Sequence, residues 1–135
     1  MSQSSPRIQQ ARTFLSVGRH DVTVASIRPL LQQFSGATDR VPQFSRTGLP
    51  LFTVSFRNES GVSRSFVAVG PAINASGNPT TWGLLLAASG SAENAKPTDL
   101  IGRQCSIAVR VDRRGHLYAC DWQPHGYADD GEVPA

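Results

Sequence analysis

Leu51-Phe52-Thr53-Val54-Ser55-Phe56-Arg57 alternates apolar and polar side chains without a break. On an extended chain successive side chains point to opposite faces, so Phe52, Val54 and Phe56 share one face and Thr53, Ser55 and Arg57 the other. The next four residues, Asn58-Glu59-Ser60-Gly61, are turn formers, and residues 63–69 read as the returning strand of a hairpin. Arg57 and Arg64 bracket that turn. If the apolar face fills a core, the face carrying Thr53, Ser55 and Arg57 is free for a ligand. Phe66, on the returning strand, either packs in the core or sits outward as a stacking ring, and the core is the expected place.

Upstream, residues 19–34 form a long extended segment in which Val22, Val24 and Ile27 follow the strand pattern. Pro29 interrupts it, since proline donates no ladder hydrogen bond, so the strand must bend, bulge or lie at an edge there. Leu30, Leu31 and Phe34 resume the apolar pattern. Residues 35–50 read as a long loop carrying Asp39, Arg40, Phe44 and Arg46; a connection of this length in a small domain is usually functional or disordered. Residues 1–17 are expected as a flexible N-terminal segment, with Phe14, Leu15 and Val17 available to pair onto the body.

Downstream, residues 70–78 form a loop, and Asn78-Pro79 offers an N-cap followed by proline at the first helical position. Residues 80–89 then read as a short helix containing Trp82, Leu84, Leu85 and Leu86, with Gly90 at the C-cap position. Trp82 is expected to plug the core. A polar linker, 91–98, leads to a second hairpin: residues 104–111, the turn Asp112-Arg113-Arg114-Gly115, and residues 116–123. A four-residue turn pairs Val111 with His116, Val109 with Tyr118, Ile107 with Cys120 and Cys105 with Trp122, which puts all eight on one face. Pro124 ends the strand, and residues 125–135 are expected as a flexible acidic tail. The fold class is all-β with one short helix, in the order three strands, helix, two strands, and the domain spans 18–124.

Composition agrees with that reading. A chain of 135 residues with 39% hydrophobic content suits one domain, and twelve glycines with nine prolines suit short strands joined by turns. No apolar run approaches the roughly 18 residues needed to cross a bilayer, and the first residues lack the apolar stretch of a secretory leader, so a cytoplasmic protein without membrane contact is expected. Cys105 and Cys120 are too few for a disulfide framework and read as small hydrophobes. The net charge is +3, but Asp129, Asp130 and Glu132 sit in the last seven residues, so the body carries about +6. Twelve of the thirteen bases are arginine, a side chain that forks onto phosphate and stacks on bases. Base composition of the coding genome gives the same bias without any ligand.

Five strands with a helix between the third and fourth resemble the OB-fold, a partly open five-stranded barrel that binds oligonucleotides through its 1–2 and 4–5 loops. Asp99-Leu100-Ile101-Gly102-Arg103-Gln104-Cys105-Ser106-Ile107-Ala108-Val109 resembles the "D-L-I-G-K, then alternating strand" signature of small phage-encoded single-stranded-DNA-binding proteins, with Arg103 in place of the lysine. In that group a helix of the Trp82-Gly83-Leu84-Leu85-Leu86-Ala87-Ala88-Ser89-Gly90 kind precedes the signature, and a hairpin ending as Asp121-Trp122-Gln123-Pro124 does here closes the barrel. The resemblance covers residues 19–124. It implies a five-stranded OB-fold barrel and non-catalytic binding of single-stranded DNA in phage replication, recombination or strand protection.

The candidate nucleic-acid-binding residues are Arg40, Phe44 and Arg46 in the long loop, Arg57 and Arg64 at the first hairpin, and Arg113 and Arg114 in the second turn. Tyr118 and Trp122 complete the set as rings that stack bases or fill the core. RNA is an open alternative, because stacking platforms accept either sugar. The tail acids Asp129, Asp130 and Glu132 resemble the acidic tails that recruit partner proteins, and a solvated end explains them equally. An exposed strand edge leaves homo-oligomerisation open. His116, Cys120 and His125 have helical rather than strand spacing, so no metal is expected. No phosphate loop, dinucleotide fingerprint or carboxylate pair is present, so neither a cofactor nor enzymatic activity is expected. The rival reading is an OB-like protein-interaction or structural module, an adaptor or virion component, using the apolar first hairpin.

Overall fold

A computed structural model describes residues 13–33 and 40–127. In chain order the elements are β1 (Gly18–Pro29), β2 (Leu31–Gln33), β3 (Arg40–Pro42), β4 (Leu51–Asn58), β5 (Gly61–Ala68), helix α1 (Thr81–Ala88), a 3-10 turn (Pro97–Leu100), β6 (Gln104–Val111) and β7 (Leu117–Gln123). The main sheet is five-stranded and antiparallel, ordered β5-β4-β1-β6-β7, while β2 and β3 form a separate two-stranded ribbon. The expected all-β class with one short helix is therefore observed. The sheet is open between its outer strands, β5 and β7, and α1 packs against both. Phe34, Asp39 and the tail acids lie outside the described residues, as do the first twelve residues.

β1 is the spine. Its first half pairs with β6 (Gly18 opposite Val109, Thr23 opposite Gln104) and its second half with β4 (Thr23 opposite Arg57, Pro29 opposite Phe52). A bulge between Val24 and Ser26 lets one strand serve both neighbours. It also explains a spacing that plain alternation does not allow. Val22, Val24 and Ile27 are all buried although the last two are three apart, because the extra residue at position 25 restores the phase. The irregularity thus falls at Ala25 and not at Pro29, which ends the strand. The expected loop 35–50 is partly structured: β3 pairs with β2, and Phe44 bridges to Pro50.

The helix begins two residues later than its proline suggests. Thr80 is the N-cap, its hydroxyl accepting from the Gly83 amide at 3.0 Å and donating to the Pro71 carbonyl at 2.7 Å. Asn78 belongs instead to a turn in which its amide donates to Asn74 Oδ1. Gly83 is required, because a Cβ there would collide with the Ala72 carbonyl oxygen. At the other end Gly90, with φ of 70°, donates to the Ala87 carbonyl and closes the last turn, as expected. Trp82, Leu85 and Leu86 are buried from α1, against Val54, Phe56, Val67, Ile107 and Leu100 in one core. Full burial of each such side chain contributes about 1.5–3 kcal/mol.

The second hairpin corrects the expected register by one residue. Val111 lies opposite Leu117, Arg110 opposite Tyr118, Val109 opposite Ala119 and Ala108 opposite Cys120. The connection is longer than four residues because Asp112 closes it twice. Its backbone amide donates to the His116 carbonyl, and its side chain accepts from the amides of Arg114 and His116. His116, Tyr118 and Cys120 therefore leave the core face, where Ala119 takes their place. A second bulge, at Asp121 with φ of 47°, returns Trp122 to that face. The Trp122 ring stacks on Phe56 with centroids 6.1 Å apart, and its indole N–H reaches the Thr81 carbonyl at 3.4 Å.

β6 is buried on both faces from Cys105 to Val109. The inner face meets the core; the outer face is covered by Arg19 and by the chain after β7. Residues 124–127 turn back across β1, where the Gly126 amide donates to Asp21 Oδ1 at 2.9 Å and the Tyr127 ring lies 5.0 Å from the Arg19 guanidinium carbon. At the opposite edge residues 13–15 lie parallel to the start of β5. The Leu15 amide donates to the Val62 carbonyl at 2.8 Å and the Val62 amide to the Thr13 carbonyl at 2.9 Å. Leu15 enters the core and Phe14 turns outward.

Candidate nucleic-acid interface

The outer face of β1, β4 and β5 is set by strand register. Pairing aligns Arg28, Thr53 and Phe66 in one cross-strand row, Ser26, Ser55 and Arg64 in the next, and Thr23, Arg57 and Val62 in the third. The complementary rows, Ile27-Val54-Ser65 and Val24-Phe56-Ser63, face the core. The face expected from the first hairpin, with Thr53, Ser55 and Arg57 outward, is the one observed. It joins guanidinium groups, hydroxyls and one ring on a rigid antiparallel support. Among the described residues no carboxylate forms an ion pair with Arg28, Arg57 or Arg64.

Phe66 overturns its expected core position: it is 65% exposed. Its neighbours explain why. Val67 and Ser65 take the inward positions of β5, so Phe66, one residue out of phase, faces solvent. Arg28 was missed for a related reason, because its outward direction depends on the bulge at Ala25.

Two concavities border this face along the gap between β5 and β7. One, of about 430 Å³, lies between β5, α1 and β7 and is lined by Phe66, Leu84, Tyr118, Cys120 and Trp122 among others. The other, of about 340 Å³, is lined by Phe14, Arg64, Gly115, His116 and Leu117. The β6–β7 connection bearing Arg113 and Arg114 therefore lies beside β5, with both arginines exposed. That connection also keeps an acid charged. The His116 amide, with those of Arg114 and Gly115 assisting, holds the Asp112 carboxyl below its ordinary range.

The remaining candidates fall in different places. Arg40 and Arg46 are exposed on the β1–β4 connection, at the end of β4 where Leu51 begins, and Phe44 is 58% exposed there. Tyr118 is outward and partly exposed, opposite Arg110. Trp122 is in the core, stacked on Phe56. No family model, curated protein or solved structure matches this chain.

Among the described residues no helix is long and apolar enough to cross a membrane. Cys105 is fully buried, and burial, with the Asp21 charge adding to it, pushes its thiol up to about 12, far from the range of a nucleophile. The site offers cations, hydroxyls and rings, which suit recognition of a polyanion with planar groups.

Proposed function

We propose that this chain is an OB-type domain that binds single-stranded DNA without catalysis, with little sequence preference, through the outer face of β1, β4 and β5. Support for the barrel comes from topology. β1, β4, β5, β6 and β7, with α1 between the third and fourth of them, follow the OB order, and closure then falls between β5 and β7 beside α1.

The observation that carries the functional reading is Phe66, a phenylalanine 65% exposed on a face with Arg28, Arg57 and Arg64. A ring so placed adds little to the core, whereas stacking a base removes it from water and contributes about 1–3 kcal/mol. The arginines neutralise phosphates and release counterions, and Thr53 and Ser55 supply hydrogen bonds to phosphate oxygens. Arg113 and Arg114 extend the positive surface at one end, Arg40 and Arg46 at the other. Such a domain serves phage replication, recombination or the protection of exposed strands.

Fluorescence anisotropy with labelled single-stranded DNA, single-stranded RNA and duplex DNA over a salt series tests this. The expected result is tighter binding of the single strand than of the duplex, weakening steeply with salt. Equal binding of duplex, or none at low salt, overturns the proposal; a mass that rises with protein concentration alongside no nucleic-acid affinity favours a protein-interaction module instead.

A further inference from the structure

The outer row formed by Thr23, Arg57 and Val62 does not end at the sheet edge. Residues 13–15 run beside β5, with Phe14 bridged to Val62, so Phe14 extends that row by one position. Phe14 is 55% exposed while its neighbour Leu15 is buried, which fixes the ring on the outward side. Two exposed rings therefore share the same face: Phe14 beside β5 at the level of Val62, and Phe66 on β5 itself, four residues further along, about 13 Å at strand rise. Arg64 stands midway between those levels and lines one concavity with Phe14.

We infer that a single strand lies lengthwise along β5, with one base stacked on Phe14, another on Phe66, and the intervening phosphate held by Arg64. This rests on the proposed nucleic-acid reading and adds the direction of the strand and a stacking position contributed by the segment before β1. Charge supports this occupant. Arg64 and its cross-row neighbour Arg57 have no carboxylate partner among the described residues. Along β5 and the strip beside it the exposed large apolar side chains are Phe14 and Phe66, with Arg64 at the level between them, a spacing suited to bases joined by a charged backbone.

The test uses the full chain and labelled oligothymidylate. Phe14→Leu, which keeps an apolar side chain at the exposed position but removes the ring, and Phe66→Leu are each expected to weaken binding about five- to a hundredfold. Neither should change the salt slope, whereas Arg64→Gln should lower that slope by about one. Phe14→Trp should retain affinity and give an emission quenched by the oligonucleotide, against the background of Trp82 and Trp122, which are both buried. Wild-type binding that is unaffected by Phe14→Leu, or a tryptophan at position 14 that is not quenched, overturns the lengthwise track and leaves the nucleic-acid reading standing. No binding by the wild type overturns both.

Discussion

Arg19 on β1 reaches over β6 to clasp Asp121 on β7, donating to its carbonyl oxygen at 2.7 Å and to its carboxylate. Asp121 has the only positive φ among the described non-glycine residues, 47°, at the bulge that returns Trp122 to the core. The strained residue and its clasp are thus one device. Asp121→Ala removes the carboxylate and puts a Cβ-bearing residue without a polar group in the left-handed region, whereas Asp121→Asn suits that region and loses only the charge. Urea denaturation should find the alanine variant less stable than the asparagine variant by about 1 kcal/mol.

The same pair sets part of the response to acid. Burial raises the Asp121 carboxyl, but hydrogen bonds from Gln123 and Arg19 and the Arg19 charge outweigh it, so its folded pKa lies below the ordinary value. A carboxyl depressed in the folded state stabilises the fold above its unfolded pKa, and that contribution disappears as pH falls through the folded one. Stability should therefore decline below about pH 4. In Arg19→Met the decline should be shallower when thermal unfolding is followed from pH 7 to pH 2.5. An identical acid response in the two proteins would exclude the pair as a contributor.

Trp122 separates folding from binding. Its ring stacks on Phe56 inside the core, so Trp122→Ala should cost about 3–5 kcal/mol of stability. With folding confirmed by circular dichroism at low temperature, the variant should still bind oligonucleotide with an unchanged salt slope. A lower slope would mean that the arginine face depends on this ring.

The two thiols should react at very different rates. Cys105 is fully buried with its thiol pushed up to about 12, while Cys120 is half-buried on the outer side of β7 and lines the larger concavity. A disulfide reagent at pH 8 should label one cysteine promptly in the folded protein and both in denaturant. Peptide mapping should identify the prompt site as Cys120.

Much of the sheet was legible because alternation is a local property. Phe52 to Arg57 and Cys105 to Val109 show their inward residues directly, and Gly90 marks the end of α1. Strand phase across irregular points was not legible. A bulge at Ala25 and another at Asp121 each shift alternation by one residue, and neither is signalled by glycine or proline at the site. Asp112 lengthened the second connection, moving Tyr118 outward and placing Leu117 opposite Val111 and Ala119 opposite Val109, where His116 and Tyr118 were expected. For the proposed binding face, Arg57 and Arg64 followed from the first hairpin alone. Phe66 did not, since an isolated aromatic in a strand favours burial until its partners' phase is known. Phe14 depends on a long-range bridge to Val62 that no local pattern contains.

The strip at residues 13–15 also bears on how this protein would meet its own copies. An outer strand offers bare amides and carbonyls to any extended chain it meets, and β5 would be such a template where Val62 now bonds Thr13 and Leu15. By occupying those groups the strip makes self-recognition intramolecular. A version beginning at residue 16 would lose Leu15 from the core and bare the Val62 amide and carbonyl, and is expected to pair edge to edge with a second copy through β5.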